Sequence, residues 1–167
     1  MQSVSITNIT RRGRVPRFTY TVIKERVLPG WEISLVFVDP AQARALNKRM
    51  RGKTYVPNVL SYALDKRSGE IVICLTEAKK QAASYFMDER TFILYLFIHG
   101  ILHIKGWAHG ARMEACERNL LAKFLPNRQA GAEKSVRAYL TNETTHSNRH
   151  RHRDVPGKNG RYRGSHR

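Results

Sequence analysis

Apolar residues recur along this chain at two spacings, and the switches between them divide it into elements. Residues 3–9 alternate loosely, the period of a strand. Over residues 14–28, Phe18, Val22 and Ile23 fall at helical spacing, and Pro29-Gly30 ends that run. Glu32–Val38 is rich in β-branched and aromatic residues and predicts a second strand. Asp39 and Pro40 suit an N-cap and first turn, so a helix is expected from there through Arg49. Residues 59–63 and 71–75 predict two more short strands, joined as a hairpin across Asp65-Lys66-Arg67-Ser68-Gly69. Thr76 can cap a helix running to about Phe86. A longer helix is expected over 88–104, interrupted at Gly106, and another over Ala111–Phe124, stopped by Pro126. Residues 129–140 add a weak turn or helix, and no internal repeat is visible. The order β-α-β-α-β-β-α-α-α describes an α+β fold (an α/β sandwich), a small mixed four-stranded sheet with helices packed over it.

Composition refines this picture. At 167 residues the chain suits one domain with a proper core. From Thr141 onward only Ser, Asn, His, Arg and Gly dominate, with no spaced apolar residues, so a single domain over 1–145 and a basic, histidine-rich disordered tail over 146–167 are expected. The longest purely apolar run, residues 92–98, is seven long. A spanning helix needs about twenty, so this run predicts a buried segment of a soluble protein and no membrane partner. No long apolar stretch precedes Arg11-Arg12, which argues against a secretory signal. Cys74 and Cys116 each sit in apolar settings and are expected as reduced thiols in a cytoplasmic protein.

Charge changes the functional picture. Thirty Lys and Arg against 13 Asp and Glu give +17; residues 146–167, with six Arg, one Lys and one Asp, hold +6, leaving +11 on residues 1–145. The excess is therefore carried by the body as well as the tail, and a field of that sign favours polyanions, nucleic acid above all.

Three of seven histidines fall in Phe97-Ile98-His99-Gly100-Ile101-Leu102-His103-Ile104-Lys105-Gly106-Trp107-Ala108-His109. Residues four apart stack on one helix face, so His99 and His103 can share a cation. Gly106 tolerates φ > 0 at a C-terminal cap and lets the chain turn His109 back to the same point. Three neutral imidazoles leave a fourth tetrahedral position open, as in catalytic rather than structural zinc, so one Zn²⁺ per chain at a helix end and the following turn is expected. The spacing is that of a metzincin peptidase, but Gly100 stands where the catalytic glutamate would be, and glycine takes no proton from water. Glu114 and Glu117, on the next helix, read most simply as its solvated or capping charges.

His-Gly-x-Leu-His-x-x-Gly-x-x-His resembles the signature of the YbeY family, endoribonucleases of ribosomal RNA maturation. Leu46-Asn47, Arg51-Gly52-Lys53 and Asn58-Val59-Leu60-Ser61-Tyr62 follow the family's Leu-Asn, Arg-Gly-Lys and Asn-Val-Leu-Ser-Phe stretch in order and spacing, and Gly69-Glu70-Ile71-Val72-Ile73-Cys74 resembles its Gly-Asp-Ile-x-Ile strand. Met113-Glu114-Ala115-Cys116-Glu117 is similar to the acidic helix after the metal motif. The likeness covers about residues 30–125 and departs at Ala108, Glu70 and Pro57, where the family has Asp, Asp and Thr. It implies a metal-dependent, single-strand-specific endoribonuclease acting in rRNA maturation (16S rRNA 3′-end processing) and ribosome quality control, with ribosomal RNA precursors and the ribosome as partners. It also implies His99, His103 and His109 as metal ligands and Arg51 as a catalytic and substrate-binding residue; His99 is expected to be catalytic as well as a ligand, and the basic run that holds Lys48, Arg49 and Lys53 is expected to bind substrate. Arg51 suits that part because a planar guanidinium grips two phosphate oxygens. A ribosome- or RNA-associated binding protein with a structural metal is the alternative, and a metallopeptidase a more distant one.

Overall fold

The computed structural model describes residues 4–11 and 13–125. β1 (Val4–Asn8), β2 (Glu32–Val38), β3 (Val59–Asp65) and β4 (Ser68–Cys74) make one sheet in the order β1-β2-β4-β3. β1 and β4 run parallel to β2, and β3 returns antiparallel beside β4, so the sheet is mixed as expected. Each parallel pairing needs a crossover. α1 (Tyr20–Val27) supplies the first, and α2 (Pro40–Arg51) with β3 the second. α3 (Leu75–Ala82), a short 3₁₀ turn at Ala83–Tyr85, α4 (Glu89–Ile104) and α5 (Ala111–Phe124) complete the described chain. None of the described helices is long and apolar enough to cross a membrane.

Alternation along β4 decides the layers. Val72 and Cys74 point to one face, where they join Val38, Leu60 and Ala43 of α2 in a small core. Ile71 and Ile73 point to the other face with Ile33, Leu35 and Phe37, into the main core built on α1, α3, α4 and α5. From Thr91 to Ile104 every residue of α4 is buried except His99 and His103. A helix apolar on all sides belongs at the centre of a fold. Here the one stripe that escapes burial is the histidine stripe.

Several boundaries differ from the pattern-based expectation, each for a local reason. The helix expected over 14–28 begins only at Tyr20. Pro16 lacks an N–H and biases Val15 away from helical geometry, and the Tyr20 hydroxyl donates to the Pro16 carbonyl at 3.0 Å. The hairpin turn is only Lys66-Arg67, with Asp65 and Ser68 already paired across it. Leu75 opens α3 rather than ending β4, with Cys74 in place of Thr76 as the N-cap, and the helix stops at Ala82 before the 3₁₀ turn. At α2, Asp39 and Pro40 stand where expected; Gln42 Oε1 accepts from the Asp39 N–H at 3.0 Å, and Gly52 (φ +67°) ends the helix two residues beyond Arg49. The expected turn over 129–140, the Pro126 stop and the tail lie outside the described residues.

Candidate metal centre

Asp88 starts α4 by accepting from the Thr91 N–H at 2.9 Å and the Thr91 hydroxyl at 2.7 Å. In the last turns of α4, His99 and His103 meet edge-on, with ring centroids 4.5 Å apart, planes at 85° and Nε2 atoms 3.0 Å apart. The helix then closes as its residues dictate. Gly106, at φ +90°, donates its N–H to the His103 carbonyl at 2.8 Å, and Trp107 N–H reaches back to Leu102 at 3.1 Å. That turn returns His109 to 5.1 Å from the His99 ring and 4.6 Å from the His103 ring. One ligand atom from each of the three lies within 4.8 Å of the others. The triad is graded in depth: the His99 side chain is 12% exposed, His103 is half-buried and His109 is exposed.

The donor chemistry fits a cation. His103 Nδ1 lies 2.9 Å from the Trp107 carbonyl, which can only accept, so Nδ1 carries the proton and Nε2 the lone pair. His99 Nδ1 lies 2.7 Å from Glu117 Oε1, and a carboxylate accepting there turns a second Nε2 lone pair toward the first. Two lone pairs facing each other at 3.0 Å repel unless a positive charge lies between them. Metal–nitrogen bonds of about 2.0–2.1 Å at a tetrahedral angle put two ligand nitrogens about 3.3 Å apart, close to this spacing.

Glu117 is the residue the sequence reading missed. Expected as a solvated or capping charge, its side chain is 3% exposed and bonded to His99. The signal was its spacing: Met113, Glu117, Leu120 and Leu121 fall on one face of α5, the face buried against α4. A carboxylate in an apolar stripe needs a buried partner.

Gly100 serves packing. A Cβ there would meet Ile71 Cγ2 at 3.2 Å, so position 100 abuts the sheet and has no room for the peptidase glutamate. Lys48, Arg49, Arg51 and Lys53 form a different group, exposed at the C-terminal end of α2, on the other side of the sheet from α4. Residues 52–58 lead from this group toward the histidine layer. Asn47 Nδ2 holds them by donating to the Tyr55 carbonyl at 3.0 Å, and Asn58 Nδ2 donates to Gln81 Oε1 of α3 at 2.9 Å. Beside the histidines the surface is also basic: Arg112 Cζ lies 4.3 Å and Lys105 Nζ 5.5 Å from the Trp107 ring centroid.

The family model described as Endoribonuclease YbeY matches residues 7–125. This chain belongs to the YbeY family. Relatives named Endoribonuclease YbeY include one from Geobacillus kaustophilus, 37% identical over 123 residues, covering 60% of this chain and 77% of that one. Another, from Paraburkholderia phytofirmans, is 33% identical over 124 residues, covering 68% and 81%. The solution structure of TM1509 from Thermotoga maritima shares the fold, with a TM-score of 0.54 and 20% identity over 72% of this chain and 87% of that one. The match to YbeY thus takes in every element of the site, from the basic end of α2 to Glu117, and ends at the last described residue.

Proposed function

We propose that this YbeY chain is a metal-dependent, single-strand-specific endoribonuclease that holds one zinc ion at His99, His103 and His109 and cleaves ribosomal RNA precursors or defective ribosomes in the cytoplasm. The observation that carries the metal dependence is the pair of His99 and His103 Nε2 atoms facing each other at 3.0 Å with His109 turned back beside them. When bound, the ion supplies Lewis-acid charge and a more acidic water at neutral pH. The chain's own residues do the rest. Glu117 and the Trp107 carbonyl hold the deeper two imidazoles in register, and His109 completes the set at the solvent side. Arg51 would grip the scissile phosphate in its charged transition state, while Lys48, Arg49 and Lys53 bind the backbone on either side. We read residues 1–145 as this catalytic domain and 146–167 as an appended basic tail.

The graded exposure favours catalysis over a structural metal. Structural zinc is closed by four protein ligands, whereas the group found among the described residues has three, the outermost exposed. Cleavage of a single-stranded rRNA fragment by the purified chain, with and without a chelator and beside Arg51→Ala, tests the proposal. Chelator-insensitive cleavage, or none in the presence of added zinc, would sink it.

A further inference from the structure

We infer that Glu117 is a positioning residue that fixes the tautomer and aim of His99 and thereby sets the metal affinity of the site; the inference rests on the metal reading above. Imidazole can place its neutral proton on either nitrogen, and only the Nδ1–H form leaves Nε2 free to bind a cation. For His103 a main-chain carbonyl makes that choice, so no side-chain substitution can remove the acceptor. For His99 the group facing Nδ1 is a side chain on another helix, Glu117, at 2.7 Å.

Burial explains why a carboxylate is there. At 3% exposure Glu117 lies among Met113, Leu120 and Leu121 on α5, where an apolar residue would be cheaper to desolvate. Its charge becomes useful once a cation lies on the far side of the His99 ring. The negative group then raises the electron density of the ligand nitrogen and offsets part of the ion's charge, the arrangement by which carboxylate–histidine pairs tune metals. α5 is therefore part of the metal centre, although it contributes no ligand.

The test uses the full chain, its His103→Ala variant as background for adventitious zinc, and two substitutions at 117. Glu117→Leu fits the apolar stripe and removes the acceptor; Glu117→Gln keeps an acceptor oxygen and removes the charge. Zinc affinity, measured by competition with a chromophoric chelator, should fall about 10–100-fold in the Leu variant and less in the Gln variant. Metal-free Glu117→Leu should melt no lower than wild type. Nitrogen-15 shifts of the neutral His99 ring should show the Nδ1–H form in wild type and Gln, and loss of that preference in Leu. Wild-type affinity and tautomer in Glu117→Leu would overturn the inference alone, as would an equal loss in both variants or a metal-free Leu protein that is clearly less stable. If wild type and His103→Ala bind zinc alike, the metal reading itself falls and this inference with it.

Discussion

Replacing Gly100 by Ala puts two sizeable effects in opposition at the point where α4 crosses the sheet. In favour of the variant, Ala over Gly in a helix interior contributes about 1 kcal/mol, partly by restricting the unfolded chain. Against it, the new methyl would lie 3.2 Å from Ile71 Cγ2 and 3.4 Å from both Cγ1 and Cδ1, inside the ordinary contact range of about 3.5–4.0 Å. Relief needs a shift of a few tenths of an ångström, and neither side can give it freely. Ile71 is fully buried and paired on both flanks, to Leu35 of β2 and Ser61 of β3. α4 is held from Thr91 to Ile104 by buried neighbours on nearly every side. Overpacking such a site costs about 1–3 kcal/mol, so the expected balance is a loss of about 1 kcal/mol. Ile71→Ala alone should cost about 2–4 kcal/mol through the cavity it leaves. In the double variant the two changes fill one another's space, so the sum of the single losses should exceed the double loss by about 1–2 kcal/mol. Denaturant titration of the four proteins gives all the terms. A gain of stability in Gly100→Ala, or additive losses in the cycle, would refute the claim that position 100 is closed by the sheet. Because His99 is the adjacent residue, zinc affinity should fall in Gly100→Ala and recover in the double variant.

The remaining expectations concern the site and its charge. Wild-type protein should copurify with about one zinc-like ion per chain, lost in His103→Ala; metal analysis is best done after removing residues 146–167, because His146, His150, His152 and His166 offer further imidazoles for adventitious ions. Arg51→Ala should lower single-turnover cleavage about 10²–10³-fold while RNA affinity changes little, and Arg51→Lys should rescue only partly because the bidentate fork is gone; wild-type cleavage at saturating RNA would return Arg51 to the general basic surface. RNA binding should weaken steeply with salt and persist, reduced, after deletion of 146–167, since +11 stays on the body; binding that vanishes with the tail at low salt would count against that body. Cys74, 1% exposed and with its thiol pushed up by burial, should resist alkylation at neutral pH until the protein unfolds, which a timed thiol assay would follow.

Order of elements, sheet composition and the convergence of the three histidines were legible in the sequence because each rests on local rules. Period-two runs can bury only one way in a sheet, Asp39-Pro40 and Asp88 satisfy the first N–H groups of their own helices, and His99, His103, Gly106 and His109 lie within a span that one helix turn and one cap determine. Long-range choices were not legible. That Arg51 ends a helix on the opposite face of the sheet from the histidines follows from which residues of β4 face which layer, a matter of register between strands far apart in the chain. That Gly100 is a contact surface for Ile71 depends on how closely α4 approaches β4. Glu117 shows the division most clearly. Its place on an apolar stripe was written in the chain, but a lone glutamate at that spacing has no meaning until α5 docks on α4 and sets the carboxylate 2.7 Å from His99, because only packing decides which buried group will neutralise which.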